Sequence, residues 1–72
     1  MSNYGEALKY QREINGYSQS ELSRLTGLTQ ASISYWESNK KSPNIEACEI
    51  LADFYGISLD ELVGRDSYVK SK

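Results

Sequence analysis

Only three residues, Gly27-Leu28-Thr29, separate two segments that each read as a helix of about two turns, and no other feature of the chain restricts its fold as much. Ser18 is a good N-cap with Glu21 three residues on, Leu22 and Leu25 share a face, and Thr26-Gly27 breaks the pattern. Thr29 can cap a second segment from Gln30 to about Ser38, in which Ile33 and Trp36 form the buried pair at i and i+3. So short a connection does not let the two helices lie side by side, and they must cross at a steep angle. Ser23 is small where the helices approach, Gly27 supplies the backbone conformation of the turn, and Leu22, Leu28, Ile33 and Trp36 fill the space between them.

The remaining punctuation adds three more helices and no strand alternation. Asn3 followed by Glu6 resembles a capping box, and that segment runs to about Ile14 before Asn15-Gly16 stops it. Asn39 reads as a left-handed terminator of the third segment. Ser42-Pro43-Asn44 stops the chain and starts it again, and Ile45, Cys48, Leu51, Ala52 and Tyr55 form an apolar stripe up to Gly56. Ser58 caps a last short helix with Asp60 and Glu61 in its first turn, Leu59, Leu62 and Val63 as its apolar surface and Gly64 as its end. The expected architecture is all-α, a compact bundle of five short helices forming one domain over residues 1–64, with a frayed C-terminal tail over residues 65–72.

A length of 72 residues allows a single core and leaves little room for a catalytic cleft. There is no His, no Gly-rich phosphate loop and no nucleophile-base arrangement, so the sequence points away from an enzyme, a cofactor or a small-molecule substrate. The single Cys48 rules out an internal disulfide and a multi-cysteine metal site, and its place on the apolar stripe makes it a core residue. No apolar run approaches the roughly 20 residues that span a bilayer, and the first residues lack the basic and apolar regions of a signal peptide. The expectation is a cytoplasmic protein without a membrane partner. A net charge of −2 looks wrong for a nucleic-acid binder until it is divided along the chain. Residues 1–43 carry five basic against four acidic side chains and residues 44–72 three against six, so the acidity lies in the C-terminal part and leaves the N-terminal part weakly basic.

Residues 18–37 and their surroundings resemble the phage-repressor-like helix-turn-helix regulators, the Cro/C1 or xenobiotic-response-element type with a lambda-repressor-like DNA-binding domain. The resemblance covers roughly residues 8–64. Its marks are Arg12, Ser18-Gln19 with Leu22, Thr26-Gly27-Leu28-Thr29, Ile33 with Trp36-Glu37, and Pro43 followed by Ile45. Leu51-Ala52, Gly56-Ile57-Ser58 and Leu59-Asp60-Glu61-Leu62 complete the pattern. Carried over residue by residue, it implies that Ser18 and Gln19 hold a phosphate, that Gln30, Ala31, Ser34 and Tyr35 face base edges, and that Arg12 and Glu37 form an internal ion pair between the first and third helices. The chemistry is compatible: a glutamine pairs with adenine through two hydrogen bonds, and an alanine methyl meets a thymine methyl. Ser38, Asn39, Lys40 and Lys41 follow the recognition helix and are expected to grip backbone phosphates through charge and backbone amides. The chain departs from the pattern at Gln11, usually apolar, at Ser23, usually Ala, and at Asn39, usually Gly. Tyr35 is bulky for a base-facing position, so no relative's target sequence transfers.

Plainer readings stand beside these. Gln30, Ser34 and Tyr35 also fit a solvated helix face, and Lys40-Lys41 a solvated loop. Ile50 and Phe54 lie at i,i+4 on the fourth helix, off its apolar stripe, and with Val63 are candidates for a homodimer interface; the alternative is that the fifth helix covers them. The functional expectation is a transcriptional regulator, of repressor type, that binds double-stranded DNA at an inverted-repeat operator as a homodimer. The other expectation keeps the fold and makes it a protein-binding module, antitoxin-like or a partner of another regulator.

Overall fold

In the computed structural model, which describes residues 3–65, every helix starts at a side chain that accepts a hydrogen bond from its own first turn. The helices are α1 (Tyr4–Ile14), α2 (Gln19–Thr26), α3 (Gln30–Glu37), α4 (Ile45–Tyr55) and α5 (Leu59–Val63). Asn3 accepts from the Glu6 amide at 3.1 Å, Ser18 from Glu21 at 3.1 Å, Thr29 from Ser32 at 3.1 Å, Asn44 from Ala47 at 2.8 Å and Ser58 from Glu61 at 3.0 Å. Each contact satisfies an amide that a helix start leaves without an internal partner. At α2 and α5 the box closes, because Glu21 and Glu61 accept in return from the amides of Ser18 at 2.8 Å and Ser58 at 3.1 Å. At α1 only the Asn3 half forms. The hydrogen bonds from Ser18 hold the Glu21 carboxyl below its usual pKa.

The helix ends are as local as the starts. Four helices finish with two nested bonds, one reaching back five residues and one three, around a residue of positive φ. At α3 that residue is Asn39, with φ 63°; Lys40 donates to the Tyr35 carbonyl at 2.9 Å and Asn39 to that of Trp36 at 3.1 Å. The helix itself stops at Glu37, one residue before the expected Ser38, which serves as its C-cap.

All five helices contribute to one core. Leu8 of α1, Leu22 of α2, Ile33 and Trp36 of α3, Ala47, Leu51 and Ala52 of α4 and Leu62 of α5 are buried together. Completely burying a branched aliphatic such as Ile33 or Leu62 stabilises the fold by about 1.5–3 kcal/mol each. α1 packs on α3 and α5, α2 on α3 and α4, and α4 on α5, so α3 is clamped from two sides.

Three expected core positions need correction. Ile45 is 75% exposed although it falls on the α4 stripe, because it is the first helical residue and side chains tilt toward the N-terminus, which carries it past the end of the packing surface. Ala47 fills the core position instead. Leu25, three residues after Leu22, turns to the edge of α2 and is 47% exposed, and Leu59 is exposed as well. Cys48 is half-buried against the core, and burial pushes its thiol pKa up.

Candidate nucleic-acid interface

The turn between α2 and α3 is made by local hydrogen bonds. Gly27 adopts φ 83° and donates to the Ser23 carbonyl at 2.9 Å, a conformation that costs other residues about 1–2 kcal/mol. The Thr26 hydroxyl donates to the Leu22 carbonyl at 2.7 Å and accepts from the Leu28 amide at 3.2 Å, which aims the chain at Thr29 and the start of α3. Ile33 and Trp36 face inward, so Gln30, Ala31, Ser34 and Tyr35 are left on the exposed side of α3. None of these four carries a charge, and among them are an amide, a methyl and two hydroxyls able to meet base edges.

The structure brings Arg12 and Glu37 together as a two-pronged ion pair. Arg12 Nε donates to Glu37 Oε2 at 2.7 Å and Nη2 to Oε1 at 3.0 Å, while Nη1 donates to the Tyr17 carbonyl at 2.8 Å. The side chains are 11% and 6% exposed, and the hydrogen bonds to Glu37 raise the Arg12 pKa. Gln19 joins them, its Nε2 donating to Glu37 Oε1 at 3.0 Å. One carboxylate thus ties the end of α1, the start of α2 and the end of α3 together. The Tyr55 hydroxyl is buried without a hydrogen bond among the described residues, and burial pushes its pKa up to about 12.

A second tether joins the same end of α3 to the start of α1. Asn39 Oδ1 accepts from the Gly5 amide at 3.1 Å, and its Nδ2 donates to Asn3 Oδ1 at 2.9 Å. Gly5 permits this approach: a Cβ there would lie 2.6 Å from the Glu37 carbonyl and 2.8 Å from the Asn39 amide. An isolated glycine inside a helical pattern is the signal in the sequence that marks such a contact.

These bonds change what the candidate phosphate-binding residues have left to offer. The amides of Ser38, Asn39, Lys40 and Lys41 all donate to carbonyls of α3, so the expected grip through backbone amides is not available in this conformation, while the two lysine side chains are exposed. Gln19 and Asn39 have each committed one side-chain N–H internally. Lys41 Nζ stands 5.3 Å from the centre of the Tyr35 ring, within cation–π range, which places a base-facing candidate and a cation in one patch. The interface candidates on α4 and α5 are half-buried: Phe54 packs 5.3 Å from the Tyr17 and Tyr55 rings, Ile50 borders a concavity with Leu28 and Trp36, and Val63 lies at the end of α5. What covers Phe54 is therefore partly Tyr17 of the α1–α2 connection. The tail residues 66–72 lie outside the described residues.

Two short helices crossing at a three-residue turn, the second with one buried face and one polar exposed face, define a helix-turn-helix. A helix-turn-helix family profile matches residues 8–62, and the chain belongs to this Cro/C1-type family. It is similar to the HTH-type transcriptional regulator PuuR of Escherichia coli, 40% identical over 57 residues, which are 79% of this chain and 31% of that protein. The HTH-type transcriptional activator BcrR of Enterococcus faecalis is 27% identical over 66 residues, 92% of this chain and 32% of that protein. The chain thus spans about a third of the length of the curated relatives it matches. Among the described residues no helix is long and apolar enough to cross a membrane, and no three metal-ligating side chains cluster.

Proposed function

We propose that the chain binds operator DNA as a homodimer, with α3 in the major groove of each half of an inverted repeat, and so regulates transcription. The observation that carries this reading is the division of α3 into a buried face, Ile33 and Trp36, and an exposed uncharged face of Gln30, Ala31, Ser34 and Tyr35 with Lys40 and Lys41 beside it. Gln30, at the first position of α3, reads a base through its amide, and Ala31 contacts a methyl. Lys40 and Lys41 take phosphates by side-chain charge, with Ser18, Gln19, Ser38 and Asn39 as further phosphate contacts. Ile50, Phe54 and Val63 supply the dimer surface, which sets two copies of α3 about one helical turn of DNA apart. A dimer whose operator overlaps a promoter blocks polymerase and acts as a repressor; one bound upstream recruits it. Nothing in this mechanism calls for a catalytic group, a cofactor or a small-molecule substrate, and it places the protein in the cytoplasm with its DNA.

The test is selection from a random duplex DNA library at two salt concentrations. An enriched inverted repeat with half-sites about a helical turn apart, bound less tightly at higher salt, is the expected result. Recovery of no common sequence overturns direct readout by Gln30 and Tyr35. It would favour the second reading, a protein-binding module on the same fold, which the acidity of α4 and α5 and the exposed Ile45 support.

A further inference from the structure

Between α1 and α5 runs an open groove of about 610 Å³, and none of its lining residues belongs to α2 or α3. Its apolar wall is Ala7, Tyr10, Ile14 and Ile57, and Tyr10 and Ile14 are 59% and 58% exposed, among the most open large hydrophobics of the described residues. The charged residues that line it, Glu6 and Glu61, are both acidic. The chain itself leaves from the edge of this groove. Gly64 lines it, set so close to α1 that a Cβ there would lie 3.2 Å from that of Ala7, and after Arg65 the sequence continues Asp66-Ser67-Tyr68-Val69-Lys70-Ser71-Lys72. This stretch offers an apolar pair followed by two lysines. Counted from Arg65, it carries three cations against one anion, the sign opposite to that of the groove. Its reach is sufficient. Four residues from Gly64 to Tyr68 span up to about 13 Å of extended chain. The seven helical steps from Ala7 to Ile14 cover about 10 Å.

We propose that residues 66–72 dock in this groove, with Tyr68 and Val69 against Tyr10 and Ile14, a segment of net positive charge on a groove whose charged residues are acidic. Covering an exposed aromatic and an isoleucine with a second apolar pair is the favourable term, and the charge pattern selects this segment over an acidic one. Asn3 lines the same groove and also holds the Asn39 side chain, so the groove adjoins the tether at the end of the recognition helix.

Nuclear Overhauser spectroscopy on the isotope-labelled 72-residue chain tests this directly. The expected result is intramolecular cross-peaks from Tyr68 and Val69 to Tyr10 and Ile14, lost in Y10S, a substitution at an exposed position outside the core. The doubly substituted Y68S/V69S chain should shift the amides of Ala7, Tyr10, Gln11 and Ile14. Absence of those cross-peaks, or shifts confined to Gly64 and beyond, overturns the proposal. So do cross-peaks that prove intermolecular in a mixture of labelled and unlabelled protein, which would make a second copy the occupant.

Discussion

At the scale of single residues, the Glu37 carboxylate is where three helices meet. It accepts from Arg12 twice and from Gln19 once, and it sits at the last position of α3, where its placement sets the helix that presents Gln30 and Tyr35. Removing the guanidinium leaves this carboxylate buried with one amide for company. Arg12→Ala is therefore expected to lower unfolding free energy by about 3–5 kcal/mol, the range for breaking a buried pair, read from the midpoint of urea denaturation. A loss below about 1 kcal/mol would instead class the pair with solvent-screened surface bridges. The resemblance named Arg12 and Glu37. The parts of Gln19 and the Tyr17 carbonyl had no signal in the sequence, because Gln19 is a helix-start residue of ordinary type and a carbonyl has no residue identity.

Between elements, the C-terminal end of α3 is held by two separate means. Its C-terminal residue is locked to α1 and α2 by the Glu37 network, and the residue of positive φ after it, Asn39, is locked to the start of α1 by two hydrogen bonds. Gly5→Ala tests the second tether. The added methyl meets a backbone carbonyl that cannot move without shifting α3, so the expected cost is about 1–3 kcal/mol, the overpacking range, seen as a lower thermal midpoint. An unchanged midpoint would mean that α1 and α3 separate there without cost. Helix boundaries were legible at this scale because caps and terminators act within a few residues: Ser18 with Glu21, Asn44 with Ala47, and the nested bonds at Asn39. Which apolar residues of a helix are buried was less legible. Periodicity gives Ile45 and Ala52 nearly the same direction, yet only Ala52 has a neighbouring helix beside it.

For the molecule as a whole, the weakly acidic total charge matters less than where charges stand. The described part of the chain from Asn44 onward carries Glu46, Glu49, Asp53, Asp60 and Glu61 against Arg65 alone, whereas Lys40 and Lys41 flank the exposed face of α3. If those lysines contact phosphate in the proposed complex, replacing both by alanine should reduce the slope of log affinity against log salt by about 0.9 per lost contact, weakening all sequences alike. A change in sequence preference with an unchanged slope would assign them to bases instead.

The sequence by itself determined the five helices, the three-residue turn and the face of α3 that turns outward, since each depends on residues at most a few positions apart. Only the tertiary structure decided how those helices are bolted together. The bonds that do it join residues 18 apart for Gln19 and Glu37, 25 for Arg12 and Glu37, and 34 and 36 for Asn39 with Gly5 and Asn3. A side chain such as Gln19 or Asn39 suits a phosphate and a buried partner equally well, and its local sequence is the same in either role. The partner that reaches it first is fixed by how α1, α2 and α3 pack, and packing is a property of the whole core.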